Sequence, residues 1–245
     1  MENYKLVFII AHRYYDGYDS YILHYIDNIN KHYENSLILV VDNNSVNQEI
    51  FKQINKKNNV VLIENNTDNK FELGAYHVGI NYLISNNLLD EYTYTIFTQD
   101  TYILKNKYDF NILINNNIKA APLVNKCGGQ DPYYPERDEI LKNIGLFDNL
   151  DKCEFCFCNS FVLRNDKIKN FYDYTKHIKI TKRSGSEASE RYFARILWEL
   201  NDRIVFALDS CDPKYYGCYE VNPFNDIKGV FFVKKCQQKN ENTKG

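Results

Sequence analysis

The amino-acid sequence predicts an α/β protein, a three-layer sandwich in which helices cover both faces of a mostly parallel central sheet. Short apolar runs alternate with amphipathic helical stretches through the first hundred or so residues, which is the pattern of repeated strand–helix units. The apolar runs are continuous, as is typical of strands buried on both faces. The chain has 245 residues, of which 44% are hydrophobic and 15% aromatic, so it can bury the core of one large domain.

The first half of the chain contains predicted strands and helices in regular alternation. The strands are the continuous apolar runs at 6–11, 37–41, 60–63 and 94–97. The helices place their apolar residues on one face, and they are predicted at 20–33, 46–57 and 72–86. Because each helix connects one strand to the next, these elements predict parallel strands joined by right-handed crossovers.

The second half is less regular. Strands are predicted at 120–124, 160–163, 204–208 and 230–233. Helices with an apolar stripe are predicted at 166–176 and 186–201. The final stretch, 237–245, is polar and is expected to be disordered, which leaves one domain over residues 1–236.

Charge, hydropathy and cysteine content exclude several classes of function. A formal net charge of -2 offers no electrostatic reason to expect a nucleic-acid partner. No apolar run approaches the roughly 20 residues that span a bilayer, and the first residues lack the pattern of a signal peptide. The seven cysteines do not have the spacing of a small disulfide scaffold. We therefore expect a cytoplasmic protein with reduced thiols.

Polar and charged side chains follow each of the first four predicted strands. These strand ends read Ala11-His12-Arg13, Asp42-Asn43-Asn44-Ser45, Glu64-Asn65-Asn66 and Thr98-Gln99-Asp100-Thr101. In an open parallel sheet, ligands bind outside the carboxyl ends of the strands. Turn initiation and helix capping explain each of these residues taken singly, but their coincidence at four strand ends favours a binding site.

Two segments in this half resemble the GT-A fold glycosyltransferases. Residues 40–45 (VVDNNS) resemble the family's nucleotide-contact segment, in which the Asp contacts the base or the ribose. An acceptor-only carboxylate suits such hydroxyl and N–H donors. Residues 69–75 (NKFELGA), the helix after them and 94–101 (YTIFTQDT) resemble the segment that ends in the family's Asp-x-Asp motif. That motif holds a divalent cation against the diphosphate of the nucleotide sugar.

The resemblance implies a GT-A-like, Rossmann-like domain with a nucleotide-sugar-binding half at 1–110 and an acceptor-binding half at 111–236. The implied nucleotide-sugar-binding residues are Ala11, His12, Arg13, Asp42, Asn43, Asn44, Lys70, Gly74, Gln99 and Asp100. Arg13 or Lys70 would counter the charge of the diphosphate. Thr98 replaces the first Asp of the motif, so Asp100 is the one expected metal ligand. We expect Mn²⁺ or Mg²⁺ to bind together with the nucleotide, or no metal to be required.

The stretch 184–195 (SGSEASERYFAR) resembles the family's acidic helix start, which places a carboxylate near the acceptor. An inverting transfer needs a base that deprotonates the acceptor hydroxyl, and Glu187 and Glu190 are the candidates. Their spacing of three residues makes them neighbours on a helix. Structural alternatives are a capping box from Ser184 to Glu187, and a surface pair of Glu190 with Arg191 or Lys182.

Two further segments allow a functional or a purely structural interpretation. Residues 125–132 (NKCGGQDP) stand where the family places acceptor contacts, so Gly128 and Gly129 are candidate acceptor-binding residues, although a flexible loop fits equally well. The cysteines within 153–158 (CEFCFC) are compatible with zinc if Cys127, Cys211 or Cys218 completes the ligand set. Residues 156–161, however, have the pattern of an apolar strand, in which buried Cys acts as a small hydrophobe.

The leading hypothesis is a hexosyltransferase-type glycosyltransferase that moves a sugar from a UDP- or GDP-linked donor to a hydroxyl acceptor on a glycan or glycoprotein. No P-loop and no Gly-x-Gly-x-x-Gly follows the first strand, which argues against phosphoryl transfer and dinucleotide redox chemistry. Two alternatives remain open. One is a nucleotidyltransferase, and the other is a nucleotide-sugar-binding module without turnover.

Overall fold

A computed structural model of the chain describes residues 4–14, 21–46, 49–104, 106–125, 135–148, 156–204, 208–210 and 232–234. The candidate acceptor glycines Gly128 and Gly129 and the predicted tail at 237–245 lie outside these ranges. None of the helices within the ranges is both long enough and apolar enough to cross a bilayer.

The described residues form ten strands and seven α-helices. The strands are β1 (Leu6–His12), β2 (Leu37–Asp42), β3 (Val60–Glu64), β4 (Tyr94–Gln99), β5 (Tyr102–Leu104), β6 (Ala120–Pro122), β7 (Val124–Asn125), β8 (Phe161–Arg164), β9 (Asp209–Ser210) and β10 (Phe232–Lys234). The helices are α1 (Ile22–His32), α2 (Glu49–Ile54), α3 (Phe71–Ser85), α4 (Asn111–Asn115), α5 (Pro135–Asn143), α6 (Ile168–Thr175) and α7 (Arg183–Leu200).

A six-stranded sheet with the order β3-β2-β1-β4-β8-β6 forms the centre of the molecule. Strands β1 to β4 are mutually parallel, whereas β8 runs antiparallel to both β4 and β6. The predicted α/β architecture with a mostly parallel sheet is therefore confirmed. In the first half, the predicted strands agree with the observed ones to within two residues at each end.

Helices cover both faces of the sheet because the side chains of its buried strands alternate between two apolar clusters. Phe8 and Ile10 of β1 belong to the cluster that contains the buried residues of α1 and α2. Val7 and Ile9 belong to the other cluster, which contains the buried residues of α3, α5, α6 and α7. A strand buried on both faces must be apolar at every position, and this explains the continuous apolar runs in the sequence.

The strand predicted at 120–124 is instead two short strands. Strand β6 ends at Pro122, and β7 begins at Val124 and pairs with β9 in a separate two-stranded sheet. Leu123 lies between them, and its N–H donates to the carbonyl of Ser160 at 2.9 Å. Proline has no N–H to donate to a strand ladder, so it is a natural end for β6.

The strand predicted at 204–208 does not begin at Ile204. Ile204 is exposed and lies in the turn after α7, where its N–H donates to the carbonyl of Asn201 at 3.0 Å. Asp202 and Arg203 both have left-handed backbones, with φ of 54° and 64°. Left-handed residues lie outside the extended region, so the chain is still turning directly before the predicted start of this strand. Residues 205–207 lie outside the described part, and β9 begins at Asp209.

The apolar run at 156–161 is a strand only from Phe161 onward. Residues 157–159 form one turn of 3₁₀ helix, and Cys158 and Asn159 have left-handed backbones with φ of 53° and 55°. Apolar composition alone cannot distinguish a strand from a buried turn. Helix α5 was not predicted, because its composition is mostly charged and only Leu141 on it is fully buried.

The partly buried His77 gives the stability of the protein a predicted pH dependence. Its Nε2 lies 2.9 Å from Oγ1 of Thr175 on α6, and Asn69 approaches Nδ1 at 3.5 Å. Burial lowers the pKa of this imidazole from 6.5 to about 4. The unfolded state therefore takes up the proton first as the pH falls from 7 to 4. The contribution of neutral His77 to the free energy of unfolding is fully present above the pKa of the unfolded state. It is lost as the pH falls towards the pKa of the folded state, and the loss is up to about 3 kcal/mol.

Urea unfolding of the wild-type chain and of His77→Gln at pH 7 and pH 4.5 measures this contribution. Glutamine keeps a donor near Thr175 but does not titrate, so the variant should lose less unfolding free energy on acidification than the wild type. Equal losses in the two proteins would contradict the assignment of His77 as a partly buried neutral imidazole.

Candidate active site

The strand register brings the predicted rim residues to one edge of the sheet. His12 on β1 pairs with Asp42 on β2, and Asp42 pairs with Glu64 on β3. On the other side, Ala11 pairs with Gln99 on β4. The carboxyl ends of the four parallel strands therefore lie side by side, and the side chains that follow them share one rim.

Asp100 joins the ends of β1 and β4. Its Oδ2 accepts hydrogen bonds from Nδ1 of His12 at 2.7 Å and from the backbone N–H of Arg13 at 3.1 Å, and its own N–H donates to Ala11 at 3.0 Å. A carboxylate only accepts, so Nδ1 of His12 donates in this bond, and its other ring nitrogen is Nε2. That Nε2 is buried without a hydrogen-bond partner among the described residues, and no described residue donates to Oδ1 of Asp100.

Asp42 stabilises the turn that follows β2. Its carboxylate accepts from the N–H and from the hydroxyl of Ser45, and Ser45 Oγ in turn accepts from the N–H of Tyr14 at 2.8 Å. Asn44 is exposed, with a left-handed φ of 62°, and Asn43 is buried. The turn-capping interaction is thus observed at Asp42. The two carboxylate oxygens together offer about four acceptor sites, and Ser45 contacts both oxygens, so about one acceptor site is left on a side chain that is only 3% exposed.

Asparagine side chains connect the rim to α3. The amide of Asn65 donates to Asn43 Oδ1 at 2.7 Å and to the carbonyl of Asn69 at 2.9 Å. Asn69 binds the backbone at Ile178 and Ile180 with its own amide. Neither asparagine was assigned to the site from sequence, although Asn65 follows β3 and was recognised as a strand-end residue.

Gly74 and Lys70 lie beside this asparagine pair. A Cβ at Gly74 would come within 1.9 Å of the carbonyl oxygen of Asn69 and 2.9 Å of the amide nitrogen of Asn65, so no other residue fits without moving the rim. The ammonium of Lys70 donates to the carbonyl of Thr67 at 2.7 Å, which holds its positive charge near the same edge.

Glu72 is the site residue that the sequence interpretation missed. Gln99 Nε2 donates to its Oε1 at 2.5 Å, and Ser186 Oγ donates to its Oε2 at 2.8 Å. Asn159 Nδ2 approaches Oε2 at 3.4 Å. Burial in the first place, and then the Glu72 charge, raise the pKa of the neighbouring Tyr76. The signal in the sequence was its position in the segment 69–75, one residue before the apolar helix face begins.

The two base candidates lie in different environments. Glu187 forms an exposed pair with Arg183, Nε to Oε1 at 3.0 Å. The capping-box alternative is wrong, because α7 already begins at Arg183 and Ser184 lies inside it. Glu190 accepts a hydrogen bond from the backbone N–H of Cys158 at 2.9 Å, and its side chain is 18% exposed. Its Oε2 also lies 3.8 Å from the guanidinium of Arg191, so the structural alternative of a Glu190–Arg191 pair is observed. Glu190 and Glu72 therefore contact the same turn, 157–159.

The described residues contain no group of three or more His, Cys, Asp and Glu arranged to hold a metal ion. Cys156 is buried, its thiol lies 3.5 Å from the carbonyl of Ser160, and burial raises the pKa of that thiol. Cys156 belongs to the apolar core, where it packs as a small hydrophobe. Cys127, Cys153, Cys211 and Cys218 lie outside the described ranges.

No protein-family model matches the chain, and no curated protein matches it by sequence. Solved structures do match it. Staphylococcus aureus (S. aureus) TarS superposes with a TM-score of 0.54 and 11% identity, over 95% of this chain and 37% of that one. TarS 1-349 gives a TM-score of 0.47 and 13% identity, over 79% and 55% of the two chains. The S. cerevisiae mannosyltransferase Ktr4p in complex with GDP gives 0.45 and 11%, over 82% and 68%.

These likenesses concern the fold. The chain has a GT-A-like glycosyltransferase fold, as the resemblance in its strand ends predicted. It spans just over half of TarS 1-349 and little more than a third of TarS.

Gly74 allows a matched test of how tightly the rim is packed. Gly74→Ala should destabilise the protein by about 1–3 kcal/mol, because its Cβ collides with the Asn69 backbone. Gly185→Ala on α7 is the control, since its Cβ would meet only Ile180 Cγ2 at 3.4 Å and should stabilise the helix by about 0.5–1 kcal/mol. Thermal unfolding measures both. Stabilisation by both substitutions would show that Gly74 is not sterically required.

Proposed function

We propose that this protein is a glycosyltransferase of the hexosyltransferase type that moves a sugar from a UDP- or GDP-linked donor to a hydroxyl acceptor. The supporting observation is the shared rim, where Asp42, Asp100 and Glu72 lie at the carboxyl ends of the parallel strands of a GT-A-like fold. Three carboxylates at the binding edge of such a sheet suit a ligand that offers hydroxyl donors and, with a cation, a diphosphate.

Each group in this rim has a role in the proposed reaction. Asp42 accepts hydrogen bonds from the ribose or the base, and its acceptor capacity beyond Ser45 allows this. Arg13 and Lys70 supply positive charge for the diphosphate. Both base candidates lie beside an arginine, Glu187 beside Arg183 and Glu190 beside Arg191. We favour Glu190 as the base, because it contacts the turn 157–159 that also contacts Glu72, whereas Glu187 is exposed at the surface.

The protein-derived donor set for a divalent cation is small. Asp100 would hold Mn²⁺ or Mg²⁺ through Oδ1, since Oδ2 already accepts from His12 and Arg13. Thr98 cannot add a carboxylate, and it is buried, with its hydroxyl 3.2 Å from that of Tyr25. The residues fit a cation whose remaining ligands come from diphosphate and water. Such a cation would neutralise the charge that develops on the departing diphosphate.

In the transfer step, the acceptor hydroxyl loses its proton to the Glu190 carboxylate as its oxygen bonds to the anomeric carbon of the donor sugar. The bond from that carbon to the diphosphate oxygen breaks, and the electron pair leaves with the nucleoside diphosphate. Hydrogen bonds from the rim hold the donor in place and exclude competing water.

A nucleotide-sugar-binding module without turnover is the second candidate. The observation that favours it is the engagement of Asp100 with His12 and Arg13, together with Thr98 at the position of a second carboxylate. Such a module would bind donors but neither hydrolyse nor transfer the sugar.

A thermal-shift screen of UDP, GDP and their common sugar derivatives, with and without Mn²⁺, tests the proposal. A ligand at 100 times its Kd stabilises the native state by about 2.7 kcal/mol, so a true donor should raise the melting temperature clearly. A donor-hydrolysis assay on the ligands that bind then distinguishes the enzyme from the module. Absence of any shift across the whole panel would refute nucleotide-sugar binding.

Asp100→Asn tests the cation assignment separately from folding. Asparagine can still accept from Arg13 and His12, so stability should change little, whereas the charge available to a cation is lost. We expect the Mn²⁺-dependent gain in donor affinity to fall about tenfold or more, the scale of a charge-assisted contact. Asp90→Asn, at an exposed position, is the control. Calorimetry measures the donor affinity with and without Mn²⁺. If Mn²⁺ raises it equally in the wild type and in Asp100→Asn, Asp100 is not a ligand of the cation.

A further inference from the structure

The Glu72 carboxylate receives all its described hydrogen bonds from neutral groups. Its partners are an amide on β4, an amide in the turn before β8 and a hydroxyl on α7. No described Lys, Arg or His forms an ion pair with it. Glu72 is partly buried. A carboxylate that is partly removed from water is commonly paired with a cation, so a Glu72 side chain held only by neutral groups at the rim calls for a chemical reason.

The neighbourhood of Glu72 also contains unusual backbone conformations. Phe71, immediately before it, has a left-handed φ of 58°, and Cys158 and Asn159 on the facing turn have φ of 53° and 55°. Left-handed backbone is uncommon outside glycine and costs free energy, especially for a bulky residue such as Phe71. Such conformations cluster at binding and catalytic sites, where the surrounding contacts hold a side chain in one orientation.

Three of the four acceptor sites on this carboxylate are engaged. Gln99 occupies one on Oε1, and Ser186 and Asn159 occupy two on Oε2. About one acceptor site therefore remains for a ligand donor. Phosphate oxygens have no proton to donate at neutral pH and would be repelled, whereas sugar hydroxyls are donors. The chemistry thus favours a sugar over the diphosphate at this point.

The position along the chain agrees with that assignment. Gln99, which bonds to Glu72, directly precedes Asp100, the residue proposed to meet the diphosphate through a cation. The sugar is the next group along the donor. On the far side, the turn 157–159 links Glu72 to the candidate base, because Cys158 donates to Glu190.

From this geometry we infer that Glu72 binds a hydroxyl group of the donor sugar and thereby selects among donors, with Gln99, Ser186 and Asn159 as its positioning residues. This inference rests on the proposed glycosyl transfer. It makes Glu72 a specificity-determining residue, distinct in role from the nucleoside contact at Asp42 and from the base at Glu190.

Calorimetric titration tests the inference. The wild type and Glu72→Gln are each titrated with UDP and UDP-glucose, and with GDP and GDP-mannose. Glutamine preserves the size of the side chain but loses one acceptor oxygen and the charge. We expect the affinity for the nucleoside diphosphate to stay within about twofold of wild type and the affinity for its sugar derivative to fall about tenfold or more, as on loss of a hydrogen bond to a charged group. Glu91→Gln, at an exposed turn, is the matched control and should alter neither.

A wild-type chain that binds neither nucleotide pair would overturn the proposed function, and this inference with it. If the wild type binds, and Glu72→Gln loses affinity equally for the nucleoside diphosphate and for its sugar derivative, the inference alone is overturned. The same holds if Glu72→Gln loses no affinity for either ligand. If Glu72→Gln fails to fold, a second experiment replaces this one. Deoxy analogues of the bound donor are then titrated into the wild type and into Glu72→Asp. Removal of one hydroxyl should then lower the donor affinity about tenfold in the wild type and much less in Glu72→Asp. An equal loss of affinity in both proteins would overturn the inference.

Discussion

Strand β1 is buried along its whole length, between β2 and β4 and between two layers of helices. A polar side chain inside this strand would lose its hydration without compensation, so polar groups occur where the strand ends. The same constraint applies to its neighbour β2. On its other neighbour, β4, the buried hydroxyls of Thr95 and Thr98 are each compensated by a hydrogen bond. Because the central strands are buried on both faces, reactive polar groups of the parallel sheet lie at the ends of its strands. The carboxyl ends are therefore rich in polar residues.

Once polar groups are gathered at that edge, they satisfy one another before any ligand arrives. Asp100 accepts from His12, Asp42 accepts from Ser45, and Glu72 accepts from Gln99. Each bond ties two segments that are separate in sequence or reverses the chain at a turn. The network holds the carboxylates in place, and a carboxylate already held in place binds a ligand hydroxyl at a lower entropic cost.

The fold was largely predictable from sequence, and the reason is local. Continuous apolar runs and one-sided helices depend only on neighbours in the chain, so β1, α1 and β2 could be placed closely. Prediction was wrong where a turn is itself apolar, as at 156–160, or where left-handed residues end an element, as at Asp202 and Arg203. A helix with little buried surface, such as α5, leaves a weak pattern in the sequence.

For the site, the sequence by itself determined which residues end the parallel strands, and hence that His12, Asp42, Gln99 and Asp100 share an edge. Only the tertiary structure decided which carboxylates converge and which do not. Glu72 meets Ser186 across 114 positions of the chain, and Glu190 meets the turn at Cys158 while Glu187 turns to the surface. Such contacts depend on how α3 and α7 pack against β4 and the turn before β8, and no local pattern encodes the distance between side chains on separate elements.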